Sequence, residues 1–275
     1  MTRRVRVRGP NGVESGTVAD GVVVTEGGTE IEALDEQRLT LPDPYELLLP
    51  LEPPEVWCAG VTYERSRDAR VEESAVEDVY TLVYEAERPE LFLKDAGCRR
   101  TVGPGAPVGI RSDSSWNVPE PEVALVLGDN GAVAGMTIGN DVSSREIEGA
   151  NPLYLPQAKV YAGACALGPA LLFPVPEEPL EIRLRVLSAA GEELYSGETS
   201  TARMKRSFGE LVGFLVRDNP VPAGSVLLTG TGLVPPDDFT LEPGHVVEIE
   251  VPGIGVLSNP VVLASTLLER SAAHV

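Results

Sequence analysis

Apolar and polar residues alternate in short segments along the first fifty residues, as in VRVRG and GVVVTE. Alternation with a period of two is typical of strands that bury one face. These segments end in the proline-rich stretch LPDPYELLLPLEPPE, where proline removes backbone donors and interrupts regular structure. We therefore predict a small N-terminal β domain and a linker over residues 1–55.

A different pattern follows between residues 63 and 87, where the chain is highly charged and its apolar residues recur at helical spacing. An apolar stripe surrounded by charge is typical of an amphipathic surface helix. We predict a helical cover over residues 64–88 that is able to close over a site. The apolar positions are Val76, Val79, Tyr80, Val83 and Tyr84.

From Leu91 onward the apolar segments are short and separated by glycine and proline, as in GPGAPVGI, EIRLRVL, GSVLLTG and HVVEIEV. Strands and helices do not alternate there, which argues against a sheet built from βαβ units. One helix start is clear, because Ser207 and Glu210 have the spacing of a capping box and Pro220 follows the apolar run. The pattern as a whole predicts an α+β protein that is mostly β.

The amino-acid composition restricts the kinds of molecule that this protein can bind. The 275 residues include 22 basic and 42 acidic ones, a formal net charge of −20, and this field repels nucleic acids and anionic membranes. No apolar run is long enough to cross a bilayer, and MTRRVRVRGP lacks the apolar core of a signal peptide. Cys58, Cys98 and Cys165 are odd in number and have no C-x-x-C spacing, so we expect a cytoplasmic protein with reduced thiols.

Candidate chemistry begins at Glu120 and Glu122, which stand two apart in PEPEVALVLG. This segment reads as a strand, so both side chains leave the same face. GDNG is a hairpin turn signal, and AVAGMTIGN after it reads as the returning strand. One cation bound between the two glutamates is therefore a reasonable hypothesis.

Asp141 lies at the end of the returning strand, and the length of the loop decides which way it points. A two-residue loop at 129–130 pairs Asp141 with Val118, and one at 130–131 pairs it with Glu120. Either loop places Asp141 on the face of the glutamates, whereas a three-residue loop would reverse it.

Three carboxylates in one small volume need a counter-ion, since unit charges about 4 Å apart repel by roughly 4 kcal/mol at an effective dielectric near 20. Ligands that are all oxygen suit Mg²⁺, with Mn²⁺ or Ca²⁺ as alternatives, and disfavour zinc. Three protein ligands leave coordination positions for water or a chelating substrate, as in catalytic magnesium sites. The alternative is an acidic strand edge on an acidic protein.

Lysine is rare in this chain, which has Lys94, Lys159 and Lys205 among 22 basic residues. A lysine beside a metal ion can lose its proton and act as a base, whereas arginine cannot. Lys159 follows Asp141 closely in sequence and is the candidate base. The alternative is that Lys159 is one of a few lysines that the chain keeps by chance.

These motifs resemble the fumarylacetoacetate hydrolase superfamily. The resemblance extends from Val56 to Pro169 through PELFLK, the E-x-E strand, GNDVSSRE and the lysine before a GP, and it continues in TGTGLVPP and LEPGHVVEIEVPGIGVLSNPV. Within the superfamily, RSDSSWNVPEPEVALVLG and GANPLYLPQAKVYAGACALGP resemble the 2-keto-3-deoxy-D-arabinonate dehydratases most. The resemblance implies a mixed β-roll catalytic domain over residues 56–275 and a homodimer or homotetramer.

The resemblance also assigns roles to seven residues. They are Mg²⁺ ligands at Glu120, Glu122 and Asp141, a catalytic lysine at Lys159, a catalytic glutamate at Glu90, and substrate contacts at Lys94 and Thr231. Without the family, Glu90 would be read as a surface acid or helix cap, Lys94 as a solvated strand charge, and TGTG around Thr231 as a tight turn.

The implied reaction is the Mg²⁺-dependent dehydration of a small anionic 2-oxo acid, a 2-keto-3-deoxy-pentonate, to 2,5-dioxopentanoate through a metal-stabilised enolate. Lys159 would take a proton from C3, Glu90 would assist loss of the C4 hydroxyl, and Lys94 with the loop at Thr231 would hold the anionic end.

Two alternatives to this reaction remain open. Hydrolytic members of the superfamily carry a histidine and a glutamate where this chain has Ser66 and Ala69, which argues against hydrolysis of a carbon-carbon bond. Acylpyruvate hydrolysis or oxaloacetate decarboxylation would still use the same metal. The alternative of another class is a non-catalytic Ca²⁺-binding β module in which the acids only stabilise the fold.

Overall fold

A computed structural model describes residues 1–73 and 78–272. Residues 74–77 of the predicted helical cover, Val76 among them, and residues 273–275 of the predicted second domain lie outside the described residues. The predicted boundary between residues 55 and 56 stays a prediction.

Nineteen strands are present in the described part of the chain. They are β1 (Thr2–Gly9), β2 (Gly12–Ala19), β3 (Val22–Thr25), β4 (Glu30–Glu32), β5 (Glu46–Leu47), β6 (Glu55–Gly60), β7 (Glu90–Ala96), β8 (Thr101–Val102), β9 (Val108–Ile110), β10 (Asn117–Val118), β11 (Pro121–Leu127), β12 (Val133–Asp141), β13 (Ser143–Ser144), β14 (Cys165–Phe173), β15 (Glu181–Leu187), β16 (Glu193–Ser200), β17 (Val226–Leu228), β18 (Val246–Val251) and β19 (Gly255–Leu263).

The described helices are short. They are α1 (Glu64–Glu73), α2 (Asp78–Glu85), α3 (Arg145–Ala150), α4 (Leu155–Lys159), α5 (Phe208–Leu215) and α6 (Ala264–Ala272), with 3₁₀ turns at Asp129–Gly131, Pro152–Tyr154 and Thr201–Arg203. None of the described helices is both long and apolar enough to cross a membrane. The prediction of an α+β protein that is mostly β is confirmed.

The largest sheet joins the N-terminal strands to the rest of the molecule. Its main path runs β4-β3-β2-β1-β14-β12-β11-β17-β6-β7, and β1 pairs antiparallel with β14. The N-terminal strands also have a small core of their own, which includes Val5, Val23 and Ile31. The β structure predicted for this region is therefore present, and it extends the main sheet.

A second sheet, with the order β16-β15-β18-β19-β9, packs against the first. Burial alternates along β15, where Ile182 and Leu184 point inward, whereas β11 is buried along its whole length. Val123 and Leu125 of β11 belong to the same apolar cluster as these β15 residues. Each such side chain contributes roughly 1.5–3 kcal/mol by burial, so β11 and the acids at its start are held between two sheets.

The hairpin between β11 and β12 has the register that places Asp141 opposite Glu120, the second of the two predicted registers. The predicted two-residue loop is wrong, because residues 129–131 form a three-residue 3₁₀ turn. One extra residue, Ala134, is left unpaired where the register shifts, and it restores the face that a three-residue loop would reverse.

The predicted helical cover is helical on both sides of residues 74–77, in α1 and α2. Tyr80 is buried while Leu82 is exposed, so the apolar stripe faces the protein. The helix start predicted at Ser207 is also confirmed, because its hydroxyl accepts a hydrogen bond from the Glu210 N–H at 3.2 Å.

Candidate functional site

Three buried carboxylates meet at the open end of the β11–β12 hairpin. Glu120 stands just before β11, Glu122 lies within it, and Asp141 ends β12. One oxygen from each lies within 4.8 Å of the others, and all three residues are at most 4% exposed. The hairpin therefore brings together the three acids that the sequence singles out, and they are called the acidic triad below.

Lys159 ends α4 and contacts two members of the acidic triad. Its Nζ donates to Glu120 Oε2 at 2.9 Å, to Asp141 Oδ2 at 3.2 Å and to Ser143 Oγ at 2.6 Å. An ammonium has three protons to donate, and these acceptors fix its position. The structure thus places the predicted base in contact with two predicted metal ligands.

Lys94 is fully buried, so the interpretation of this residue as a solvated strand charge is wrong. Its Nζ is paired with Asp141 Oδ1 and donates to the Val142 carbonyl oxygen at 3.0 Å. Since the described residues that line the adjacent cavity do not include Lys94, its contact with substrate stays a prediction.

Sequence reasoning missed two buried charges on α3, Arg145 and Glu148. Arg145 Nη2 lies 3.3 Å from Glu120 Oε1, and Glu148 Oε2 lies 3.8 Å from Lys159 Nζ. The signal was available: the two residues are three apart on a helix capped by Ser144, so they share a face. That face points at the acidic triad.

Glu122 is stabilised differently from its two neighbours. Its Oε2 accepts a hydrogen bond from the Gly230 N–H at 2.5 Å. Burial raises the pKa of the Glu122 carboxyl well above its usual range, and the charges of Asp141 and Glu120 raise it further, while the Gly230 N–H lowers it. A cation bound by the three acids would oppose this repulsion.

Ionisable side chains are concentrated around the acidic triad. Five carboxylates lie near three cations among the described residues. The carboxylates are Glu90, Glu120, Glu122, Asp141 and Glu148, and the cations are Lys94, Lys159 and Arg145. The donor set of the acidic triad consists of oxygen alone, which suits Mg²⁺ or Mn²⁺.

A small cavity adjoins the acidic triad. Glu90, Thr231 and Ser66 line it, so the predicted catalytic glutamate and one predicted substrate contact face the same space. The remaining described lining residues are Ala59, Gly60, Val61, Phe92, Glu120, Glu122, Asp141, Glu148, Leu155, Lys159 and Gly230.

Gly60 makes room for the Glu90 carboxylate. A Cβ atom added at Gly60 would lie 2.0 Å from Glu90 Oε2 and 2.6 Å from its Cδ, too close for any side chain. Strands β6 and β7 pair these two residues directly. The bare backbone at Gly60 therefore lets the carboxylate lie against β6.

Ser66 reaches the cavity from the start of α1, and Thr231 reaches it from the loop after β17. The Ser66 hydroxyl donates to the Tyr63 carbonyl oxygen at 2.8 Å and accepts from the Tyr63 N–H at 3.3 Å. The Thr231 hydroxyl accepts from the Leu233 N–H at 3.2 Å. Both hydroxyls are thus fixed by backbone groups.

Comparison with known proteins identifies the family of this chain. Residues 55–262 match the fumarylacetoacetate (FAA) hydrolase C-terminal family. A probable 2-keto-3-deoxyxylonate dehydratase of Haloferax volcanii is 50% identical over 215 residues, which cover 78% of this chain and 74% of the relative. A 2-dehydro-3-deoxy-D-arabinonate dehydratase of Saccharolobus solfataricus is 43% identical over 221 residues, 77% of this chain and 73% of the relative.

The fold agrees with the sequence matches. A solved structure of 2-keto-3-deoxy-D-arabinonate dehydratase complexed with magnesium and 2,5-dioxopentanoate superposes with a TM-score of 0.82 at 34% identity, and covers 94% of this chain and 98% of that one. The two relatives at 43% identity or more are named as dehydratases of 2-keto-3-deoxy-pentonates, one of them as probable. This chain belongs to the fumarylacetoacetate hydrolase family.

Proposed function

We propose that this protein is a hydro-lyase that removes water from a 2-keto-3-deoxy-pentonate, such as 2-keto-3-deoxy-D-arabinonate, and yields 2,5-dioxopentanoate. The observation that carries the proposal is the contact of Lys159 with Glu120 and Asp141 beside a cavity that Glu90 also lines. The names of the two relatives and the ligands of the similar solved structure support it.

Glu120, Glu122 and Asp141 would hold the cation, with Mg²⁺ favoured and Mn²⁺ second. When bound, the cation supplies Lewis-acid stabilisation of the negative charge that develops on the keto oxygen of the substrate.

Lys159 is the proposed base for C3. As a neutral amine it takes one C3 proton, and the ammonium that forms donates to Ser143, Glu120 and Asp141, the three acceptors that surround its Nζ. Pre-set geometry of this kind removes the need to orient the base during the reaction.

Glu90 is the proposed acid for the C4 hydroxyl. The C4–O bond breaks as Glu90 supplies a proton, so the C3 hydrogen and the C4 hydroxyl leave together as one water. Transfer of a proton from C5 to C3 then gives the enol of the aldehyde, and its tautomerisation yields 2,5-dioxopentanoate. No oxidant or second substrate is required.

Hydrolysis of a carbon-carbon bond has less support. The Ser66 hydroxyl is engaged with the Tyr63 backbone, and Ala69, which is buried, has no acid-base group. The described lining of the cavity contains no histidine to activate a water molecule. A purely structural Ca²⁺ site is disfavoured as well, because a cavity and a lysine adjoin the acidic triad.

A coupled assay tests the proposal. The metal-free protein receives racemic 2-keto-3-deoxy-pentonate with Mg²⁺ or with EDTA, and a semialdehyde dehydrogenase reports the aldehyde formed. We expect Mg²⁺-dependent aldehyde formation, with no turnover of acylpyruvates and no release of CO₂ from oxaloacetate. Turnover of either of those two compounds without aldehyde from the pentonate would overturn the proposal.

The assembly expected from the family and the cytoplasmic location expected from the sequence remain predictions. Analytical ultracentrifugation would test the homodimer or homotetramer, and cell fractionation would test the cytoplasmic location.

A further inference from the structure

The carboxylate of Glu122 is held by a backbone group from a part of the chain that is distant in sequence. Its Oε2 accepts a hydrogen bond from the Gly230 N–H at 2.5 Å, and both residues line the cavity beside the acidic triad. A carboxylate rotates easily about its last carbon-carbon bond, and an N–H that points at one oxygen restricts this rotation. The direction in which Glu122 presents its other oxygen therefore depends on where the Gly230 N–H points.

The peptide group that carries this N–H is also bound at its opposite side. The Thr229 carbonyl oxygen and the Gly230 N–H belong to one planar peptide group, and the Thr62 hydroxyl donates to that carbonyl oxygen at 2.7 Å. A rotation of the peptide group would break both hydrogen bonds at once. Thr62 is thus connected to Glu122 through a single rigid group.

Both ends of the contact between Thr62 and Thr229 are fixed by further hydrogen bonds. Thr62 is fully buried between β6 and α1, and its own carbonyl oxygen accepts from the Lys205 N–H at 2.9 Å. The Thr229 N–H and hydroxyl both donate to the Val123 carbonyl oxygen, at 3.1 and 2.9 Å. The Thr62 hydroxyl therefore meets a carbonyl oxygen whose position is tied to β11, the strand that carries Glu122.

Gly230 allows Thr62 to approach the peptide group this closely. A Cβ atom added at Gly230 would lie 2.0 Å from Thr62 Oγ1 and 2.9 Å from the Ala59 carbonyl oxygen. The φ angle of Gly230 is also +90°, a conformation that residues with a side chain rarely adopt. The glycine is therefore required by the contact with Thr62 as well as by the backbone.

We propose that Thr62 is a positioning residue for the metal site, whose hydroxyl orients the Thr229–Gly230 peptide group so that its N–H fixes the carboxylate of Glu122. A hydrogen bond to the carbonyl oxygen also polarises the peptide group and strengthens the bond that its N–H donates. Groups that hold a metal ligand in this way typically contribute about 10–100-fold to metal affinity. The inference rests on the assignment of Glu122 as a metal ligand in the proposed function.

The variant Thr62→Val tests the inference, because it replaces the hydroxyl by a methyl group and keeps the shape of the side chain. Calorimetric titration of the metal-free protein with Mg²⁺ should show an affinity that is lower by about tenfold or more. Thr62→Ser retains the hydroxyl and should bind Mg²⁺ as the wild-type protein does.

Thr137→Val is the matched control. Thr137 is also fully buried in the main sheet, and its hydroxyl donates to the Ala170 carbonyl oxygen at 2.8 Å. This variant should lose as much stability in urea unfolding as Thr62→Val and keep the Mg²⁺ affinity of the wild-type protein. The comparison separates the loss of a buried hydrogen bond from the loss of a positioning group.

NMR of the metal-free protein follows the Gly230 N–H itself. Its proton should resonate downfield, because it donates to a carboxylate. The resonance should move upfield in Thr62→Val and stay in place in Thr137→Val. A resonance that does not move in Thr62→Val would show that the hydroxyl has no effect on the bond to Glu122, and would overturn the inference.

An unchanged Mg²⁺ affinity in Thr62→Val would overturn the inference as well, and so would an equal loss in Thr137→Val. If Thr62→Val does not fold, Thr62→Ala takes its place, and failure of both to fold would assign the hydroxyl to folding and contradict the inference. Both measurements proceed without turnover. Weakened binding in Glu122→Gln beside unchanged binding in Thr62→Val would refute this inference alone, whereas absence of aldehyde formation from the pentonate would refute the proposed reaction alone.

Discussion

Asp141 lies directly opposite Glu120 in the hairpin, and its backbone N–H donates to the Glu120 carbonyl oxygen at 3.0 Å. This pairing fixes two of the three proposed metal ligands relative to each other through the backbone. Side chains on paired residues leave the same face of a sheet, so the register itself places both carboxylates at one cation.

The substitution Asp141→Asn should weaken Mg²⁺ binding by roughly 100-fold, because it removes one of three charged ligands. Calorimetric titration of the metal-free protein measures this change. Asp129→Asn makes the same substitution at an exposed position in the turn of the same hairpin and should leave the affinity unchanged. Equal affinities in Asp141→Asn and the wild-type protein would show that the ion binds elsewhere.

The substitution Lys159→Ala should lower kcat by roughly 10²–10⁴-fold, the usual contribution of a general base. Mg²⁺ binding should persist, since the acidic triad remains. The aldehyde assay and calorimetry measure the two effects separately, and Lys205→Ala, at a lysine that lies outside the described cavity lining, serves as the control. Near-normal turnover in Lys159→Ala with metal bound would assign the base to another group.

The affinity for Mg²⁺ should fall as the pH is lowered, and the fall should begin above the ordinary range of a glutamate. Its cause is the raised pKa of Glu122, because protons and the cation compete for this carboxylate. Calorimetry in buffers of different ionisation enthalpy should detect proton release on binding. An affinity that stays constant down to the ordinary pKa of glutamate would contradict the assignment of Glu122.

The metal-free protein should show a matching trend in stability. The folded state holds its proton on Glu122 more tightly than the unfolded state, so this residue costs stability as the pH rises through its raised pKa. This loss of stability disappears as the pH falls toward the ordinary pKa of glutamate. Urea unfolding at several pH values should give a weaker slope in Glu122→Gln than in the wild-type protein.

The substitution Gly60→Ala should lower kcat at least tenfold without changing Mg²⁺ affinity. Its Cβ would lie 2.0 Å from Glu90 Oε2, so the proposed acid would have to move. Gly213→Ala is the matched control, because a Cβ there meets nothing within 4 Å and lies in α5. An unchanged kcat in Gly60→Ala would show that the position of the Glu90 carboxylate does not affect catalysis.

Sequence periodicity predicts the hairpin register because a period of two leaves few choices. The pattern predicts the position of the turn but not its length, since the 3₁₀ turn at 129–131 and the extra residue Ala134 compensate each other in the register. The alternation of side chains between the two faces of a strand shows only the combined effect of the turn and the extra residue. The face of Asp141 was therefore predicted correctly with the wrong loop.

The charges around the acidic triad were harder to predict. Lys94 reads as a solvated strand residue because its partner Asp141 lies far away in sequence and the contact exists only in the folded chain. Arg145 and Glu148 are likewise buried only because α3 packs against the triad. Local sequence shows the spacing of residues along an element, whereas the burial of a charged side chain depends on partners from other helices and strands.

Exchange of the C3 hydrogens of 2-oxopentanoate for deuterium, followed by NMR in D₂O, tests the central claim most directly. This compound has no C4 hydroxyl to lose, so the measurement isolates removal of the C3 proton by Lys159 beside the acidic triad. We predict exchange that requires both the wild-type protein and Mg²⁺ and that is abolished in Lys159→Ala. Equally fast exchange in the metal-free protein or in Lys159→Ala would contradict the account.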